Sequence, residues 1–364
     1  MAHDKLKFSR VAIDRAGRTL LREDADADSV DGAWEALANW RSVHAFPLNA
    51  VTMDLRQKIR RTCPAALVVQ RLERARSILS KLSKESSMRL TQMQDIGGCR
   101  AVVDTIDQVY QIRDQYRRSK SLHEFMREDD YIAKPKASGY RSLHLVYRFE
   151  SRSHNQYNKL MFEVQTRTAM QHAWATAVET VGAVIGQALK ASEGERNWLL
   201  YFQNAALALE YTEQRVLSED SGVSRGTLAR ALAKLGKSLD VRMRLTAYRE
   251  ALKTTERLKS SAAAYFLLLL LPDQQELQIM AFSKRNAEVA YREYERFERQ
   301  LPLHPPGKQL SLFPELSDFS GAQAVLVGAD SLRSIRESYP NYYLDTEVFL
   351  SKIDHFVQRY RRAA

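Results

Sequence analysis

The chain has 364 residues, 45% hydrophobic and 27% charged, with 55 Lys and Arg against 44 Asp and Glu for a formal net charge of +11. That balance suits a globular protein able to bury a core, sized for two domains or for one with large additions, and excludes a disordered or fibrous chain. The excess of cations points to a polyanionic partner, either a polyphosphate or an RNA.

Two cysteines, Cys63 and Cys99, form neither a disulfide framework nor a metal spacing, which implies a reducing compartment. The N-terminal MAHDKLKFSR lacks the apolar core and cleavage site of a secretory signal. The longest apolar run, 262–271, ends at Pro272, well short of the roughly 20 residues that a membrane helix needs. The expectation is a cytoplasmic protein that does not engage a membrane.

In chain order, residues 1–30 read as loosely structured, with an acidic patch, REDADADS. From Asp31, the spacing of Trp34, Leu37, Ala38 and Trp40 predicts a helix that ends near Pro47, and a further helical stretch covers Leu55–Arg61. Leu67–Gln70 is a short strand, Arg76–Ser83 a helix, Arg100–Asp104 a strand and Ile106–Arg117 a helix. Arg141–Glu150 and Leu160–Thr166 read as strands, and Ala169–Leu189 as a long helix. Mixed strands with flanking helices define an α+β domain over 31–192.

The second half changes character. Trp198–Arg215 and Gly226–Leu258 read as helices in a segment over 193–260. Over 261–364, Ala264–Leu271 and Leu277–Phe282 form a hairpin, Asn286–Gln300 a charged helix and Ala322–Val327 a strand. Asp330 caps a helix over Ser331–Ser338, and Asp345–Arg361 closes the chain. That order predicts a small ββαβα accessory domain, serving partner binding, autoregulation or plain stabilisation.

The chemistry concentrates in the middle. Between Met53 and Leu90, ten Lys or Arg face only Asp54, Glu73 and Glu85, a block that suits a polyphosphate, an RNA or simply a solvated basic face. The stretch YIAKPKASGYRSLH (131–144) joins Lys134 and Lys136 to Gly139, the ring of Tyr140, and the donors of Arg141 and His144. Cations with an aromatic ring suit a nucleotide, although a basic turn before a strand reads the same way. Glu163 follows, inside the apolar setting of Leu160, Phe162 and Val164, where an unpaired charge is costly.

PKASGYRSLH and FEVQTRT resemble the acceptor-nucleotide loop and catalytic strand of the RelA/SpoT synthetases, which make the alarmone (p)ppGpp. VVQRLERARSILSKL (68–82) with MQDIGGCRAVV (93–103), and QHAWATAVETVG (171–182), are similar to the family's ATP-binding region and to the helix after its catalytic strand. The resemblance implies a nucleotidyltransferase-like mixed sheet and a pyrophosphokinase that moves the β,γ-pyrophosphate of ATP to a 3′-hydroxyl, with Mg²⁺ as cofactor.

Residue by residue, it implies Asp95 and Glu163 as metal-binding and catalytic carboxylates. Arg71, Arg74, Ser77, Lys81 and Arg100 would bind ATP. Lys134, Lys136, Tyr140, Arg141, His144, Gln165 and Arg167 would bind the acceptor, with Tyr140 stacking on its base. Two positions depart from the family pattern: Glu73 and Asp129 stand where lysines are usual. The acceptor is GDP or GTP or, as in related toxins, the 3′-CCA end of tRNA. A catalytically dead nucleotide sensor is a third reading, which the intact carboxylates oppose. No histidine–aspartate pair of the hydrolase type precedes the block, so synthesis alone is expected, with a regulatory protein or a second copy of the chain as further candidate partners.

Overall fold

A computed structural model describes residues 5–185, 195–214, 222–251, 253–257, 263–271, 274–300, 323–328 and 346–362. It opens with α1 (Arg10–Thr19), α2 (Ala27–Val43) and α3 (Ala45–Thr62). The loose N-terminus expected from sequence therefore contains a helix. Ser9 caps it by accepting the Ala12 N–H at 3.2 Å, and Ile13 and Ala16 are buried. Ile13, Ala16 and Gly17 lie on one face of this short helix, whose stability comes mainly from the neighbours that face packs against. The acidic patch supplies the next cap, Asp26, which accepts the Ser29 N–H at 2.8 Å. His44 alone separates α2 from α3, so Pro47 falls in the first turn of α3, where its missing N–H costs nothing.

There follow β1 (Leu67–Leu72), α4 (Ala75–Lys84), β2 (Gly97–Val103), α5 (Ile106–Arg118), β3 (Glu124–Asp130), β4 (Leu143–Arg148), β5 (Met161–Thr168) and α6 (Ala169–Ile185). The second half contributes α7 (Arg196–Gln214), α8 (Arg225–Ser238), α9 (Val241–Ala251), β6 (Lys253–Arg257), β7 (Ala263–Leu271), β8 (Glu276–Ser283), α10 (Ala287–Gln300), β9 (Gln323–Gly328) and α11 (Glu347–Tyr360). Among the described residues the strands form one mixed sheet in the order β3–β4–β5–β2–β1–β9–β7–β8–β6. β2 and β5 run parallel, as do β6 and β8, and the other neighbours are antiparallel. The α+β class follows directly.

Two further elements differ from expectation. β3, EFMREDD, carries no apolar alternation because it is an edge strand whose residues are mostly exposed. The long helix expected over Gly226–Leu258 is two helices followed by a strand. The break lies at Asp240, whose φ of 49° is left-handed, a conformation that a short polar side chain tolerates. The helix expected over Ser331–Ser338 lies outside the described residues.

The strands of the last hundred residues do not stand apart. β9 pairs with β7 on one side and meets β1 on the other at Arg71–Val327, so they extend the sheet that carries the motifs of the first half. The leucine run of β7 is buried on both faces. Leu267, Leu269 and Leu271 lie with Ala290 and Tyr294 of α10, whereas Leu268 and Leu270 lie with Ile279 and Val325. An unbroken apolar strand is what two covered faces require. In a separate core cluster α11 inserts Phe349, Leu350, Ile353 and Phe356 among Trp198, Phe202 and Leu228 of α7 and α8. No helix among the described residues is long and apolar enough to cross a membrane.

Candidate active site

Strand register builds the site. Gly98 pairs with both Arg71 and Glu163, Arg100 with Gln165, and His144 with Gln165. Because side chains alternate along a strand, Arg71, Arg100, Glu163, Gln165 and His144 share one face of the sheet. Asp95, in the loop before β2, and Glu73, just after β1, close its end. Together with Gly98 and Cys99, most of these residues line an open cleft of about 340 Å³.

One wall of the cleft is a charge cluster. Lys81 is bonded to Asp95 and lies 3.9 Å from Glu73, and Arg71 donates to Glu73 at 3.1 Å. Burial works against the Glu73 carboxylate, but Arg71, Lys81 and Arg74, with a hydrogen bond from Ser77, hold it well below the usual range. Ser77 and Lys81, one turn apart on α4, thus reach the same carboxylate. Glu73, a departure from the family pattern in sequence, is the centre that gathers these cations. Burial pushes Asp95 up, and the charges of Glu73 and Glu163 add to that push while Lys81 opposes it. Two carboxylates that repel one another across a cleft form a cation-attracting pair.

The opposite wall is a relay of hydrogen bonds. Arg100 donates to Gln165 at 3.1 Å, Gln165 donates to Glu163 at 2.6 Å, and His144 Nδ1 lies 2.6 Å from the other oxygen of Glu163. His144 Nε2 lies 2.9 Å from the Tyr140 hydroxyl. Burial disfavours the imidazolium, yet Tyr140 and Glu163 outweigh it and raise His144 to about 9. Burial likewise opposes ionisation of Glu163, but the imidazolium and Gln165 bring it down to about 2. The result is a fixed carboxylate at the centre of the cleft.

Not every expected residue is open to a ligand in the cleft. Tyr140 is 5% exposed and packs its ring near Trp174, so its face is not open to a base. Tyr131, not singled out in sequence, is only half-buried, with the Lys136 ammonium 4.4 Å from its ring centre and His144 against its edge. It sits at the head of the same motif, which was the available signal. Arg141 turns away and forms a buried ion pair with Glu210 of α7. Arg74 donates to Gln323 of β9 at 2.7 Å, and Lys134 is exposed on the loop. Arg167 lies beyond the cleft, fully buried against His172, and burial beside Arg100 lowers its guanidinium to about 9.

The loop itself is clamped by α7. Gly139 has φ of 89°, and a Cβ there would stand 2.6 Å from Ala206, so both backbone and space demand glycine. Gln203 donates to the Ala137 carbonyl at 3.0 Å, and Glu210 takes Arg141 two turns further along the helix.

Residues 70–181 match the family model described as a region found in RelA / SpoT proteins. Over this segment the chain is similar to the RelA/SpoT family. Two curated relatives, both from Bacillus subtilis (strain 168), align with the chain. The GTP pyrophosphokinase YjbM is 31% identical over 115 residues, 31% of this chain and 54% of the relative, and the GTP pyrophosphokinase YwaC is 29% identical over 111 residues, 29% of this chain and 52% of the relative. The chain thus spans about half the length of these relatives. Among solved structures, the small alarmone synthetase 1 of Bacillus subtilis bound to its product pppGpp aligns at 25% identity with a TM-score of 0.39, over 46% of this chain and 90% of that one. The matched segment contains all the cleft residues named above, whereas α7, α10 and β9 lie outside it.

Proposed function

We propose that the chain is a pyrophosphotransferase of the RelA/SpoT type, moving the β,γ-pyrophosphate of ATP to the 3′-hydroxyl of GDP or GTP. The observation that carries this reading is the cleft itself, with Asp95 and Glu163 together between the Lys81–Arg71 cations and the His144–Tyr140 wall. Lys81, Arg71, Arg100 and Ser77 suit the triphosphate; Lys136 and the ring of Tyr131 suit the acceptor. In the reaction the 3′-oxygen attacks the β-phosphorus, a new O–P bond forms, the bond to the bridging oxygen of the α-phosphate breaks, and AMP leaves. Glu163, kept ionised by His144, is suited to accept the hydrogen bond of the attacking hydroxyl and orient it.

A divalent cation such as Mg²⁺ fits these residues. The charge of Glu163 raises the need of Asp95 for a counter-charge, and hard cations take carboxylate, phosphate and water oxygens. Among the described residues no group of three or more His, Cys, Asp or Glu is arranged to hold a metal, so nucleotide oxygens would complete its shell. When bound, the ion neutralises charge on the transferring phosphates.

A second acceptor, the 3′ end of tRNA, is favoured by one observation. Asp129 pairs in register with His144, on the cleft face of β3, and is engaged by Arg127 at 2.9 Å. An acid there repels the phosphates of a free guanine nucleotide, and the net charge of +11 favours a polyanion. The deciding experiment offers γ-labelled ATP with GDP, GTP or bulk tRNA. Label on guanosine tetra- or pentaphosphate is the expected result, label on tRNA alone selects the second acceptor, and label on neither defeats the proposal.

A further inference from the structure

Helix α4 begins without a cap of its own. Its N-cap residue, Arg74, makes no side-chain cap bond, and no acid lies in its first turn. Arg74 and Arg76 also crowd the end of the helix where the backbone dipole already carries positive charge, an arrangement that disfavours the helix. The missing cap arrives from more than two hundred residues along the chain. Glu298 of α10 accepts the Ala75 N–H at 2.5 Å. Its carboxylate is buried 3.7 Å from Arg41, which donates to the Tyr294 hydroxyl at 2.7 Å and to the Glu73 carbonyl at 3.0 Å.

A buried carboxylate is retained only where it is paired and hydrogen-bonded, and Glu298 is both. Its partners are telling. The Ala75 amide begins the helix that carries Ser77 and Lys81, and Arg41 grips the backbone of Glu73, the carboxylate around which the cleft cations gather. Gln323 of β9 holds Arg74 in the same neighbourhood. Glu298 of α10, Gln323 of β9 and Arg41 of α2, itself held by Glu298 and Tyr294, converge on the segment 73–75.

We propose that Glu298 is a positioning residue for the donor nucleotide: by capping α4 from α10, it sets Ser77 and Lys81 at the height the triphosphate requires. The proposal rests on the donor assignment made above. It gives the second half of the chain a part in building the site, although that half lies outside the matched segment.

The test compares Glu298→Ala, Glu298→Gln and the full-length parent chain. Direct titration with a non-hydrolysable ATP analogue measures donor affinity, steady-state kinetics measures donor and acceptor KM, and hydrogen exchange follows the amides of residues 75–78. Loss of an N-cap acceptor predicts roughly tenfold weaker donor binding in Glu298→Ala, with faster exchange at 75–78 and an unchanged acceptor KM. Glu298→Gln keeps an oxygen for the Ala75 amide and should recover most of the affinity. Donor affinity and exchange equal to the parent in Glu298→Ala would overturn the proposal, as would donor and acceptor KM rising together. Should Glu298→Ala not fold, Tyr294→Phe removes only the hydroxyl that holds Arg41, and an unchanged donor affinity there would also overturn it. A parent chain that binds no ATP analogue would remove the donor assignment and this proposal together, and Glu298→Ala alone matching a binding parent would remove only this one.

Discussion

His144 Nδ1 lies 2.6 Å from Glu163 Oε1, and the two residues come from adjacent antiparallel strands in which His144 pairs with Gln165 and Val146 with Glu163. The contact is diagonal across the ladder, a separation that long side chains bridge. It fixes a negative charge at the centre of the cleft and a positive charge behind it.

Glu163→Gln is expected to fold and bind ATP but to lose transfer by at least about 10²-fold, the scale for a positioned acid–base or electrostatic group. Lys81, Arg71 and Arg100 remain to hold the donor, so ATP titration and single-turnover transfer should separate. Retention of most transfer activity would remove Glu163 from the chemistry.

The same pair gives stability a pH dependence. His144 is raised from 6.5 to about 9, so its contribution is complete below pH 6.5 and disappears as pH rises through about 9. Glu163 is lowered from 4.5 to about 2, so its contribution is complete above pH 4.5 and disappears as pH falls through about 2. The Tm gap between the parent and His144→Gln should therefore be widest between these windows and close toward pH 9. A gap that stays constant from pH 6 to about 9 would contradict the charged pair.

Arg141 is expected to serve stability more than acceptor binding, because its buried partner is Glu210 of α7. Removing one member leaves the other charge buried and unpaired, at a cost of about 3–5 kcal/mol, whereas Arg141→Met combined with Glu210→Leu should regain most of it. Urea unfolding of the two single variants and the double variant measures this directly. Unchanged stability with a sharply raised acceptor KM in Arg141→Met would return the residue to the acceptor site.

Asp129→Lys places a cation on the cleft face beside His144. The expected outcome is a shift in acceptor use toward GDP and GTP relative to tRNA, read as a ratio of labelled products in competition. An unchanged ratio would show that position 129 does not discriminate between acceptors.

The sequence by itself determined the elements that carry the cleft. Lys81, Glu163 and His144 are tied to local patterns, a helix turn and two alternating strands, whose geometry follows from their spacing, whereas Asp95 stands in a loop that only the family resemblance marked. Leu67–Leu72, Ile106–Arg118 and the β7–β8 hairpin were legible for the same reason: their apolar period is their structure. Only the tertiary structure decided how the remaining groups are used. A side chain such as Arg141 or Tyr140 chooses between ligand and protein according to what packs beside it, and α7, some sixty residues later, claims both the loop and its arginine. The exposed edge strand β3 carried no pattern because it buries little, and α1 was hidden because its stability comes from its neighbours. Glu73 reversed its meaning for the same reason: its role depends on Arg71 and Lys81 turning toward its carboxylate and on Arg41, thirty-two residues away, holding its backbone.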